Sequence, residues 1–105
     1  MISIYFIQQA QSRAVKCGSS ADVQTRLTSL QCANPEPLVL IATFHGSRKY
    51  EARLHQILAP LRINGEWFRH GPWVDNVIEA FDQGADVEYL LAMLIREAPF
   101  FRSVF

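Results

Sequence analysis

The stretch Leu38-Val39-Leu40-Ile41-Ala42-Thr43-Phe44 constrains the fold more than any other. It is a continuous apolar, partly β-branched run of strand length, closed by Asn34-Pro35-Glu36-Pro37 on one side and Gly46-Ser47 on the other. A run of that kind reads as a buried central strand, with the other elements arranged around it. This run and the other long apolar run, Tyr89–Ile95, are far shorter than the roughly 20 residues a bilayer requires, so no membrane span is expected.

The flanking sequence supplies the partners. Ile2-Ser3-Ile4-Tyr5-Phe6-Ile7 and Ala14-Val15-Lys16-Cys17-Gly18 are two strand-like segments around a polar stretch, which predicts a hairpin with its loop near residues 9–13. Ser19 and Ser20 are N-cap candidates for a helix over 21–32, on which Val23, Leu27 and Leu30 form an apolar stripe. A second helix, with Tyr50, Leu54, Ile57 and Leu58 at helical spacing, is expected over 47–59 until Pro60 stops it. Asn64-Gly65 marks a turn, and Glu66-Trp67-Phe68 returns the chain to the core. Val74, Val77, Ile78 and Phe81 define a third helix closed by Gly84, and Val87, Leu90, Leu91, Leu94 and Ile95 a fourth. The expected class is α/β in the α+β sense: a small three-stranded antiparallel or mixed sheet flanked by helices, with two extra C-terminal helices.

At 105 residues with 50% hydrophobic side chains the chain can build one core and has no composition for disorder. Residues 1–83 are expected to form the functional domain, and 84–105 a helix and apolar tail packing on it. Two cysteines, Cys17 and Cys32, are too few for a disulfide framework and lack metal-ligand spacing. The N-terminus shows no basic, cleavable leader, so a reducing cytoplasm is the expected setting. The formal net charge is zero, but the charges are unevenly placed. Through Pro72 eight basic residues (Arg13, Lys16, Arg26, Arg48, Lys49, Arg53, Arg62, Arg69) face four acidic ones, and from Trp73 onward two face six. The first two-thirds can meet a polyanion; the bland alternative is a solvated charge pattern.

Several segments, in order, resemble the GIY-YIG nuclease superfamily, in particular its small phage-type and meiotically up-regulated branch. Ile4-Tyr5-Phe6-Ile7 is similar to the first motif with its tyrosine retained, and Val15-Lys16-Cys17-Gly18 to the second with its glycine retained. Arg26 follows eight residues after Gly18, then come Leu30–Leu38, Gly46–His55 with Glu51, and Gly65-Glu66-Trp67-Phe68, the most branch-specific tetrapeptide. The resemblance covers roughly residues 4–81. It departs where Lys16 stands in place of the second tyrosine, and the late asparagine has a counterpart only in Asn64, which a turn explains equally well.

The resemblance implies a metal-dependent endonuclease that hydrolyses DNA phosphodiester bonds with Mg²⁺ or Mn²⁺. Glu51 would hold the ion; its ordinary alternative is a solvated helix carboxylate paired with Arg48. Arg26, at the rim of an apolar stripe, would bind two phosphate oxygens, or else snorkel over apolar surface. Tyr5 points away from its neighbours Ile4 and Phe6 and would position or deprotonate water, or else sit in the core with one hydrogen bond. Lys16 could bind phosphate or depress the pKa of Tyr5. His55, four residues after Glu51, shares its helical face and could move a proton or ligate a metal. Arg48, Lys49, Arg53 and Asn64 complete the expected nucleic-acid surface. Trp67, Phe68 and Trp73 could stack on bases, although core burial suits them better. Cys17 is best explained as a small buried hydrophobe. The alternative function is a catalytically inactive module of the same fold that binds nucleic acid or a protein. The apolar tail 99–105 would pack on the domain or support a homodimer.

Overall fold

The computed structural model describes residues 1–82. The elements run β1 (Ser3–Gln9), β2 (Val15–Ser20), α1 (Val23–Cys32), β3 (Leu38–His45), α2 (Arg48–Leu58), a 3₁₀ turn (Ala59–Leu61), β4 (Arg62–Asn64), β5 (Trp67–Phe68) and α3 (Pro72–Asp82). The strands form one sheet in the order β3-β1-β2-β5-β4, and every pairing is antiparallel. The α+β class is as expected. The expected fourth helix and the apolar tail lie outside the described residues, and no described helix is long and apolar enough to cross a membrane.

Two expectations need correction. The sheet has five strands, not three, because the Asn64-Gly65 turn closes a β4–β5 hairpin that pairs with β2 through Val15↔Phe68 and Lys16↔Trp67. Gly65 takes a left-handed φ of 51°, a conformation that side chains rarely adopt. The second correction concerns the apolar run. β3 is an edge strand, and along it half-buried positions alternate with exposed ones, Val39 at 51% and Ile41 at 37% exposure. Among the described elements it pairs with β1 alone, whereas β2 holds the centre of the sheet.

The β1–β2 hairpin turns through Arg13, at φ 67°, and its loop is tied down by Glu36, whose carboxylate accepts the N–H groups of Gln11 and Ser12 at 2.8 Å each. β2 continues past Gly18 to Ser20, so neither expected serine caps α1. Asp22 does, its carboxylate accepting from the Thr25 N–H at 3.1 Å. α2 begins at Ser47, which accepts from the Tyr50 N–H, and Pro60 sits in the 3₁₀ turn that follows, as a residue without an N–H to donate should.

Alternation along β1 decides the layers. Ile4 and Phe6, with Val15 and Cys17 of β2, join Leu54, Ile57, Leu58, Leu61, Phe68, Trp73, Val74 and Val77 in one buried cluster beneath α2 and α3. Each such side chain stabilises the fold by about 1.5–3 kcal/mol relative to exposure. Trp73 is therefore core rather than a base-stacking platform, while Trp67 is half-buried. Tyr5 and Ile7, also fully buried, belong to the other face. α1 touches β1, β2 and β3 yet contributes nothing to the cluster, which places it over that second face.

Candidate active site

The site forms where β2 outruns β5. After Lys16↔Trp67 one more backbone bond is made, from Cys17 N–H to the Glu66 carbonyl at 3.1 Å. Beyond it, Gly18–Ser20 has β1 as its only described strand neighbour. Tyr5 lies directly across from Gly18, and its ring end and hydroxyl occupy the space that a Cβ at position 18 would need. Glycine there is a clearance requirement: any side chain would drive the phenol out. Tyr5 is 0% exposed, and its hydroxyl has no hydrogen-bond partner among the described residues. A buried polar atom left unpaired costs about 1–3 kcal/mol, so an orphan of this kind calls for an occupant.

Burial is the largest influence on the Tyr5 pKa and pushes it up. The Arg26 guanidinium opposes that rise, and the Glu66 and Glu51 carboxylates reinforce it. Arg26 therefore stands close to the phenol on the α1 side, although it makes no well-formed hydrogen bond to it. With its pKa raised, Tyr5 is a hydrogen-bond donor at neutral pH and not a base.

From the other layer α2 brings Glu51 and His55, one turn apart on one helical face. Glu51 Oε1 accepts from the Ser19 hydroxyl at 2.7 Å instead of pairing along its own helix. His55 Nε2 lies 2.7 Å from the Cys17 carbonyl, and the ring rests against Phe68 with centroids 5.6 Å apart. A carbonyl can only accept, so Nε2 carries the hydrogen and Nδ1 keeps its lone pair in the neutral ring. Glu66 arrives from the β4–β5 turn. One potential ligand atom from each of Glu51, His55 and Glu66 lies within 4.8 Å of the others. Lys16 Nζ donates to Glu66 Oε2 at 2.8 Å and sits 5.7 Å from the Trp67 ring centre.

Five of the residues singled out in the sequence thus meet around one edge of the sheet: Tyr5, Lys16, Arg26, Glu51 and His55. Arg48 joins them less directly, since with Arg26, Ser19, Ser20 and Asp22 it lines an adjoining hollow of about 370 Å³. Lys49 and Arg53 stand two positions either side of Glu51 and therefore on another face of α2. Asn64 borders a separate hollow with Gln9, Ile63 and Trp67. Burial pushes the Cys17 thiol up, so it is an inert core residue as expected. Two members were not foreseen. Ser19, a helix-cap candidate by its position, belongs to β2. Glu66 lies inside a tetrapeptide that carries part of the resemblance, but Lys16, Glu51 and His55 stand 50, 15 and 11 positions away, so spacing alone does not assign it.

No curated protein and no solved structure matches the chain. One family model does, the T5orf172 domain, over residues 2–83. The match spans every element that builds the site, from β1 through α3. T5orf172 domains occur in phage-type and GIY-YIG-related nuclease-like proteins. This chain belongs to the T5orf172 domain family, with Tyr5, Arg26, Glu51, His55 and Glu66 all inside the matched segment.

Proposed function

We infer that this chain is a divalent-metal-dependent endonuclease that hydrolyses DNA phosphodiester bonds in the GIY-YIG manner. The observation that carries the reading is the fully buried Tyr5 hydroxyl, which has the Arg26 guanidinium close by and feels the Glu51 and Glu66 carboxylates. A phosphodiester bound there meets what its hydrolysis needs: a cationic fork for the non-bridging oxygens, a donor for an incoming or departing oxygen, and a site for a divalent ion.

The residues fit such an ion. Two carboxylates and one imidazole balance the charge of a divalent ion, and the buried phenol hydroxyl adds a polar atom close to both carboxylates. When bound, the ion neutralises charge on the transferring phosphoryl group. The remaining work belongs to the protein. Arg26 clamps phosphate oxygens, and Arg48 along the adjoining hollow extends the cationic track for the neighbouring phosphate. Tyr5, kept protonated by burial, donates to an oxygen at the reaction centre and orients it. Ser19 fixes the rotamer of Glu51, and the Cys17 carbonyl fixes the ring of His55.

Nicking of supercoiled plasmid in Mg²⁺ and in Mn²⁺ tests this reading. The wild-type chain is expected to nick, Glu51→Ala to lose at least about a hundredfold, and Arg26→Ala about 10²–10³-fold. Equal nicking by all three proteins identifies a contaminating nuclease and removes the reading. Salt-sensitive DNA binding with no nicking replaces it with the non-cleaving module.

A further inference from the structure

The geometry points to Glu66 as the third protein ligand of a Glu51–His55–Glu66 site for a first-row transition-metal ion, with Lys16 competing against that ion for the Glu66 carboxylate. This rests on the metal-dependent reading above and says which ion the site favours and what holds the site when no ion is there.

Three observations converge. The first is donor placement: the ligand atoms lie within 4.8 Å of one another, and neighbouring ligands on a common ion at bonds of about 2.1 Å sit roughly 3 Å apart. The two glutamate side chains, with three rotatable bonds each, are the members that would close that difference. Leu54, Ile57 and Leu58 seat α2, and with it Glu51 and His55, in the core.

The second is the support around the donors. A ligating histidine commonly donates its other ring N–H to a carbonyl, and His55 does so to Cys17. Glu51 is held through one oxygen by Ser19, which leaves Oε2 available. The fully buried Tyr5 hydroxyl, with no partner of its own, adds a polar atom that responds to both carboxylates of the set.

The third is the chemistry of the set. Mg²⁺ prefers all-oxygen surroundings and keeps most of its waters, whereas an imidazole donor favours Mn²⁺ and the later divalent ions. Two carboxylates and a nitrogen therefore select against Mg²⁺. Glu66 meanwhile is the one member of the set already bound to a cation, Lys16 Nζ at 2.8 Å. An ion that recruits Glu66 must draw on a carboxylate that Lys16 already holds. The side chain of Lys16 is only 12% exposed, so an ammonium released from Glu66 remains beside the site, where an incoming phosphate is the natural anion to receive it.

Ion binding without nucleic acid tests this, by Mn²⁺ electron paramagnetic resonance and by calorimetry with Mn²⁺ and Mg²⁺. The wild type should bind Mn²⁺ at least about tenfold more tightly than Mg²⁺. Glu66→Gln should weaken Mn²⁺ about 10–100-fold, and His55→Asn should weaken Mn²⁺ far more than Mg²⁺. Circular dichroism confirms that each variant is folded; His55→Gln replaces His55→Asn if the latter is not. Lys16→Met should tighten Mn²⁺ several-fold in the wild type and have no effect in the Glu66→Gln background, since Lys16 acts through that carboxylate. Equal tightening in both backgrounds means general charge repulsion and removes the competition. If Glu51→Ala abolishes binding while Glu66→Gln and His55→Asn leave it intact, the three-ligand site is wrong and the single-carboxylate endonuclease survives. If the wild type binds neither ion, both fall.

Discussion

The two helices that serve the site are built in opposite ways. α2 buries Leu54, Ile57 and Leu58 in the cluster beneath the sheet, and from that seat presents Glu51 and His55. α1 has no buried residue at all; Val23, Leu27 and Leu30 are only half covered, and Arg26 is exposed. Under the proposed function the division matches the tolerance of each task. Ligand atoms around an ion must be placed to within a few tenths of an ångström, so they belong on a rigid element. A guanidinium on a long stem can find phosphate oxygens over a wider range, and a shallowly packed helix is sufficient to carry it.

The difference is measurable, and the largest expected effect is in the core. Leu54→Ala should lower stability by about 2–5 kcal/mol in a denaturant titration, whereas Leu27→Ala should cost under about 1 kcal/mol. Similar losses at the two positions would show that α1 is seated as firmly as α2 and would break the contrast.

A smaller effect is expected between the helices, at the rung they share. Gly18→Ala puts a methyl group where the Tyr5 ring end sits, at a cost of about 1–3 kcal/mol. Placed on a Tyr5→Ala background, the same change should cost much less, because the collision is gone. An undiminished cost would trace the need for glycine to the backbone instead.

The smallest effect belongs to the α1 cap. Hydrogen bonds from the backbone N–H and hydroxyl of Thr25 hold the Asp22 carboxyl below its ordinary value. A depressed carboxyl contributes stability that is present above its unfolded pKa of about 3.9 and fades as the pH falls through its lower folded value. Hydrogen exchange should therefore show α1 amides losing protection below about pH 4, with α2 amides, capped by the uncharged Ser47, keeping theirs. Asp22→Ala should reproduce the loss at neutral pH and remove its pH dependence.

How legible these features were in the sequence depends on how local their causes are. α2 could be read nearly to the residue, since its stripe, the Ser47 cap and the Pro60 stop are all local signals. The orientation of Tyr5 followed from strand alternation alone. β3 was misplaced because an apolar run reports burial of at least one face and says nothing about pairing partners; Val39 and Ile41 stay exposed on an edge. β4 and β5, at three and two residues, are too short to show any periodicity, which left the expected sheet at three strands although Glu66-Trp67-Phe68 reads as a short strand-like segment. The same shortness concealed Glu66, whose role comes from the rung at which β5 stops.

The Tyr5–Gly18 rung has a consequence for how a sheet can be used. A β-sheet ordinarily insulates the helices on its two sides, so that each layer does its chemistry alone. Leaving one Cβ off β2, beside a stretch whose only described strand neighbour is β1, lets a phenol from β1 lie across that strand. Under the proposed function, groups rooted in opposite layers, an arginine above and an acidic pair below, would address one small anion without either helix leaving its place.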